Sequence, residues 1–265
     1  MTTDNIPKSV APSLSAILLT LFEQRFADFC ERHQQQGVWL KGMVARDQRF
    51  ASQLSVMWSC SPFVYETCLH CPEVLIELVE SGDLYTSREG ADYVAQLATR
   101  RLSVEHEADL HRVLRQFRRR EMLRIVWRDF TRQSPMLETT ADVTHLAEAC
   151  IQQAMMFLYP IVEKQMGTPI GKYSGEAQQM VVLGMGKMGA WELNVSSDID
   201  LIFAFSEAGE TRDASRQYSN QEFFLKLAQK LIQALDQQTI DGFVFRVDMR
   251  LRPYGESGAM VLNYD

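Results

Sequence analysis

Apolar residues recur at spacings of three and four over the first part of the chain. Leu14, Leu18, Phe22, Phe26 and Phe29 fall on one helical face, and Gly37 is the expected stop. Pro72 opens a shorter helix carrying Val74, Leu75, Leu78 and Val79, which Ser81-Gly82 closes. Residues 106–132 read as a longer, arginine-rich helix. Asp142 is expected to cap the next one, which runs through Leu146, Cys150, Ala154 and Leu158 and is expected to kink at Pro160. Near Gly167 the pattern changes. Residues 167–175 hold Gly167, Pro169, Gly171 and Gly175 and read as a connector. Strand signals follow at Met180–Leu183, at Ile199–Phe205 and at Phe243–Leu251. Between the last two, Ser219 and Glu222 form a capping box, Tyr218 and Phe223 suit a hydrophobic staple, and Phe224, Leu227, Leu231 and Leu235 supply a buried stripe.

These elements predict an α+β protein, with a mostly helical region over 1–166 and a core with a small mixed sheet over 167–265. Hydrophobic residues make up 46% and charged residues 23%, which suits a packed core and argues against long disorder. The net charge of -7 speaks against a general nucleic-acid binder. No apolar run is long enough to span a membrane, and Met1–Ala11 lacks a signal-peptide core, so a cytoplasmic location is expected. The 5 cysteines are an odd number, and a disulfide framework is not expected. Cys68 and Cys71 have CxxC spacing with no matching second ligand pair, so they read as ordinary thiols on a helical segment.

The chemistry concentrates at residues 184–205, GMGKMGAWELNVSSDIDLIFAF. Asp198 and Asp200 stand two apart at the start of a strand, so both project from one face, while Ile199, Leu201, Phe203 and Phe205 take the other. Adjacent carboxylates repel, and a divalent cation removes that penalty; an all-oxygen donor set suits Mg2+ or Mn2+. In the third candidate strand, Phe243, Phe245, Val247, Met249 and Leu251 alternate with Val244, Arg246, Asp248, Arg250 and Arg252. Alone, Asp248 reads either as a salt-bridge partner of its arginines or as a third carboxylate. If the two strands are neighbours, Asp198, Asp200 and Asp248 surround one site, and three carboxylates hold two metal ions about 3.5–4 Å apart. Arg250 and Arg252 would then grip phosphate oxygens from the same face.

A Gly-rich turn followed by DxD on a strand and a later strand Asp resembles the DNA polymerase β-type nucleotidyltransferase superfamily. That superfamily usually has Gly-Ser in the turn, where this chain has Gly186-Lys187. Longer strings, GMGKMGAWELNVSSDIDLIF and DGFVFRVDMRLRPYGESG, with the helical FRRREMLRI at Phe117–Ile125, are similar to glutamine synthetase adenylyltransferase. That family has two catalytic halves, and the string MRLRPYGESG and the helical lead-in from Met1 resemble its N-terminal, adenylyl-removing copy. The resemblance implies a polymerase-β-like core at 167–265. It implies metal-dependent phosphorolysis of the AMP–tyrosine bond on adenylylated glutamine synthetase, in which inorganic phosphate takes the nucleotide as ADP. It carries the metal and catalytic roles to Asp198, Asp200 and Asp248, with Gly186, Lys187, Ser197, Arg250 and Arg252 as nucleotide- or phosphate-binding candidates, and two Mg2+ or Mn2+ ions as cofactors. It names glutamine synthetase and the PII signalling protein as partners, and neither a membrane nor a nucleic acid.

Two further patterns in the chain compete with this reading. Gly184, Gly186 and Gly189 fit a dinucleotide fingerprint, with Glu207 near the acidic position, but too few residues separate Gly189 from Asp198 for a crossover helix. The arginines at 112, 115, 118–120, 124, 128 and 132 read chiefly as a solvated or ion-paired face, because Glu121 and Asp129 are interspersed; a contact surface for an acidic partner or for nucleotide phosphates is the other reading. Trp127 and Trp191 read as core. Two rival functions remain open: a polymerase-β-type enzyme acting on another substrate, and a catalytically incomplete interaction fragment. The last residues carry no termination signal, so the chain is expected to be part of something longer and to have weak or no activity alone.

Overall fold

The computed structural model describes residues 14–213 and 215–264. The chain forms two compact units that are interleaved in sequence. The first takes the residues up to Ser87 and those from Met122 to Met136; the second takes Arg88–Glu121 and everything from Leu137. This division differs from the boundary expected at Gly167, because helices on the N-terminal side of that glycine pack with the sheet.

The first unit is helical. Its helices are α1 (Ala16–Arg32), α2 (Gln34–Arg46), α3 (Gln48–Cys60), α4 (Pro62–His70) and α5 (Pro72–Glu80). Single residues separate them, and the caps explain how. Asp47 ends α2 and accepts a hydrogen bond from the Phe50 N–H at 2.9 Å to start α3; Ser61 ends α3 and does the same for Val64, with Pro62 at the first helical position. Trp58 is fully buried against Phe29, with ring centroids 5.1 Å apart, and Phe50 stacks on Trp127 at 5.8 Å. Gly37 does not stop α1. That helix ends at His33, and Gly37 is buried inside α2, where an added Cβ would lie 3.0 Å from Cys30 Cα. The glycine permits close helix approach instead of termination.

The second unit holds α6 (Gly90–Arg101), the first part of α7 (Glu107–Phe130), α8 (Met136–Met166), β1 (Thr168–Gly171), β2 (Met180–Met185), the single turn α9 (Gly186–Gly189), β3 (Ile199–Phe205), β4 (Gly209–Arg212), α10 (Asn220–Asp236), β5 (Val247–Asp248) and β6 (Val261–Asn263). Asp142 does not cap α8; the helix starts at Met136, and Asp142 is buried within it. The expected connector after Gly167 contains β1, which pairs antiparallel with β4 in a separate small sheet.

The main sheet is mixed. β2 runs antiparallel to β3, and β5 and β6 both run parallel to it. Asp200 pairs with Met185 on one side and Asp248 on the other, and Phe203 likewise pairs with Val182 and Val261. So β5 and β6 lie end to end along one edge of β3, separated by the excursion 249–260. α10 begins with the expected capping box, Ser219 with Glu222, and buries Phe224, Leu227, Leu231 and Leu235 completely.

The third expected strand is much shorter than its alternation implied. Val244 and Phe245 are both buried, and their consecutive N–H groups both donate to the Leu235 carbonyl, at 2.9 and 3.1 Å. A strand ladder cannot make that pattern, and only Val247–Asp248 pairs.

The arginines of α7 divide: Arg112, Arg119 and Arg120 are ion-paired as expected, with Asp109, Asp241 and Glu121, whereas Arg115, Arg120, Arg124 and Arg128 are buried and not solvated. Arg115 is buried and donates to the carbonyls of His111 and Gly242, both at 2.8 Å, of Ala234 at 3.0 Å, and of Gln237, closing the C-terminal end of α10. Arg88 and Arg120 flank the fully buried Glu121. In the first unit, Arg124 is fully buried and donates to the Thr86 carbonyl at 2.9 Å.

Candidate active site

Three elements build the site: the end of β2 with its glycine turn, the start of β3, and β5. The parallel register places Asp200 beside Asp248 on adjacent strands, so their side chains leave the same face of the sheet. Asp198 stands just before β3, and the Ile199 N–H donates to the Arg246 carbonyl at 2.9 Å, which fixes the entry to β3 against the chain leading into β5. Gly186 has φ of 53°, and a Cβ there would lie 2.6 Å from Asp200 Oδ2. Only a residue without a side chain lets the turn pass this close to the carboxylate.

The three carboxylates sense one another unequally. Burial pushes the Asp200 carboxyl up, and the charges of Asp248 and Asp198 push it further. Asp248 goes the other way: side-chain and backbone hydrogen bonds from Arg250 hold it below the usual carboxylate range. Asp198 accepts from Arg246 Nε, and Arg246 also donates to the Ser196 carbonyl at 2.9 Å. Among the described residues, no group of three His, Cys, Asp or Glu side chains is drawn together in a metal-binding cluster. Each outer carboxylate is held by an arginine instead.

The remaining sequence candidates fall into distinct settings. Lys187 is exposed on the turn after β2. Ser197 is committed to the turn ahead of β3, donating to Asn194 Oδ1 at 3.0 Å and accepting from the Asn194 N–H at 3.2 Å. Arg250 lies on Asp248 with its head group exposed. Arg252 donates to the carbonyls of Met249 at 2.7 Å and Glu256 at 3.1 Å, and so braces the excursion between β5 and β6.

A shallow depression of about 450 Å³ is lined by Asp198, Asp236, Asp248, Glu256, Arg246, Arg250 and Arg252; Asp200 is not part of its lining. A larger cavity, about 810 Å³, lies elsewhere, lined by Met155, Met156, Tyr159, Met180, Met188 and Trp191, and contains none of the three aspartates. The smaller depression has the charged groups that phosphate chemistry needs. Trp191, expected in the core, is half exposed and packs edge-on to His145 at 4.7 Å.

Sequence reading assigned no role to Arg246. Nothing in the sequence joins it to Asp198; the two fall side by side only because the sheet sets Ile199 opposite Val247. Phe243, apolar in the sequence pattern, has its ring under the guanidinium groups of both Arg118 (5.3 Å) and Arg246 (5.9 Å).

A mixed sheet in which a glycine turn leads to DxD on one strand and a third Asp stands on its parallel neighbour defines a nucleotidyltransferase-like α+β core. Residues 51–265 match the family described as glutamate-ammonia ligase adenylyltransferase, and the chain belongs to that family. Relatives named bifunctional glutamine synthetase adenylyltransferase/adenylyl-removing enzyme include those of Pseudomonas aeruginosa, 52% identical over 78% of this chain and 21% of the relative, and Nitrosococcus oceani, 49% identical over 80% and 22%. That of Thioalkalivibrio sulfidiphilus is 38% identical over 99% of this chain and 25% of its own length. The chain thus spans about a fifth to a quarter of the relatives it matches. Among the described residues, no helix is long and apolar enough to cross a membrane.

Proposed function

We propose that this chain carries the adenylyl-removing site of its family. The reaction is phosphorolysis of the AMP–tyrosine bond on glutamine synthetase. An oxygen of inorganic phosphate bonds to the α-phosphorus, the bond from phosphorus to the tyrosine oxygen breaks, ADP forms, and the phenolate takes up a proton. The observation that carries the reading is the register pair Asp200–Asp248 beneath Gly186, with Asp198 close enough to raise the Asp200 carboxyl.

The donors are all carboxylate oxygens, which fits Mg2+ or Mn2+. Asp198, Asp200 and Asp248 would hold the ions. A pair of such ions, if held there by Asp198, Asp200 and Asp248, would neutralise phosphate charge and the developing phenolate. The protein's own part is positioning: Gly186 lets the turn approach Asp200, and Arg250, exposed beside Asp248, is placed to meet a phosphate oxygen. The relatives' name covers both attachment and removal of AMP; the strings resembling the N-terminal copy are what favour removal. PII is the regulator that the same resemblance brings with it, and ADP and phosphate are the small-molecule partners.

The test places this chain in the matching segment of the Pseudomonas aeruginosa relative and follows ADP release from adenylylated glutamine synthetase and phosphate. The grafted protein is expected to release ADP with Mg2+ or Mn2+ present, and Asp200→Asn to reduce the rate at least about 100-fold, as loss of a main electrostatic group does. Unimpaired AMP removal after both Asp198→Asn and Asp200→Asn would overturn the assignment. The isolated chain is expected to be weak, and robust turnover by it would refute that expectation.

A further inference from the structure

Arg246 makes three contacts that belong together. It forms an ion pair with Asp198, donates to the Ser196 carbonyl at 2.9 Å, and lies over the Phe243 ring at 5.9 Å. Phe243 in turn carries Arg118 of α7 at 5.3 Å. Arg246 is therefore held by the backbone ahead of β3 and by an aromatic ring, independently of Asp198. Its guanidinium occupies an oxygen of a carboxylate that the proposed function gives to a divalent ion. Arg250 does the same at Asp248, but it follows Asp248 by two residues, and among the described residues its exposed head group hydrogen-bonds Asp248 alone. Arg246 is the arginine fixed in place.

We propose that Arg246 is a positioning residue that competes with the divalent ion for Asp198, so that the strength of its anchorage on Phe243 and Ser196 sets how tightly the site takes the ion. The inference rests on the metal reading of the three aspartates. Its physical content is a charge balance. One carboxylate oxygen serves either a guanidinium or a cation, and a fixed positive charge beside the ion site also repels the ion directly. Removing the arginine lifts both effects. Replacing it with lysine keeps a charge but loses the fork that bonds Asp198 and Ser196 together.

The experiment is Mn2+ binding to the 265-residue chain, read by calorimetry or by the loss of free Mn2+ signal in electron paramagnetic resonance. Arg246→Met is expected to tighten binding about two- to fivefold, the range carried by an exposed ion pair. Arg246→Lys and Phe243→Leu are expected to tighten it less. Unchanged or weaker binding in Arg246→Met, with wild-type thermal unfolding, overturns the proposal. If Arg246→Met does not fold, Arg246→Lys decides by the same criterion. Asp200→Asn is the control for the underlying reading: if the wild-type chain takes up no Mn2+, or Asp200→Asn takes it up equally well, the metal reading fails, and this inference fails with it. If only Asp200→Asn weakens binding and the arginine variants do not change it, the metal reading stands and the competition does not.

Discussion

Asp200 and Asp248 sit opposite each other on parallel strands, and their carboxyls move in opposite directions: burial and the neighbouring carboxylates raise Asp200, while hydrogen bonds from Arg250 lower Asp248. The stability consequence can be given a sign. A carboxyl raised above its unfolded value supports the fold below the unfolded pKa and loses that support as pH rises through the folded value. Ionised Asp200 therefore weakens the fold at neutral pH. Asp200→Asn is expected to raise the melting temperature by about 1–3 °C at neutral pH, and this gain should vanish in buffers below the ordinary carboxylate range. Calorimetry at both pH values checks it; a melting temperature lowered at neutral pH would contradict the account. Asp198 and Asp200 were legible as a pair from their spacing alone. Arg246 was not, because its partner lies far away in sequence and the register that joins them exists only once β5 lies on β3.

At the scale of elements, β3 and α10 follow directly from their sequences: one has a run that buries both ends of its apolar face, the other a capping box and a stripe of leucines. The third strand could not be read this way. Alternation fixes which side a residue faces only while the backbone stays in a ladder, and Leu235 takes both the Val244 and Phe245 N–H groups out of it. The burial of several α7 arginines is hidden in the sequence for a related reason, although the ion pairs of Arg112, Arg119 and Arg120 are as expected. A buried arginine looks like a surface one until the carbonyls that receive it are known, and three of the four that receive Arg115 lie far along the chain, at 234, 237 and 242. Arg115→Met is expected to cost about 2–4 kcal/mol, since charged hydrogen bonds are lost and carbonyls at the end of α10 are left without a donor. Urea unfolding of the chain measures it, and a cost under about 0.5 kcal/mol would mean that the α10 end closes without Arg115.

At the scale of the whole molecule, the unit that carries the sheet draws on residues well before Gly167. The Tyr159 hydroxyl donates to the Gln178 carbonyl at 2.8 Å, the Tyr159 ring packs against Phe223 at 5.4 Å, and Lys230 pairs with Glu107 at 2.6 Å. A piece containing only 167–265 is therefore expected to lack a cooperative thermal transition, whereas 88–265 should show one by circular dichroism. A cooperative transition in the shorter piece would mean that the sheet is self-sufficient. The split edge of β3 has a wider consequence. Since β5 and β6 are each registered on β3 independently, the stretch between them is tied down at both ends, and its tip at Tyr254 is largely open to solvent. Exchange of Tyr254 at that tip is therefore expected to leave Asp248 in place while altering what approaches Arg252 and Glu256 beside it.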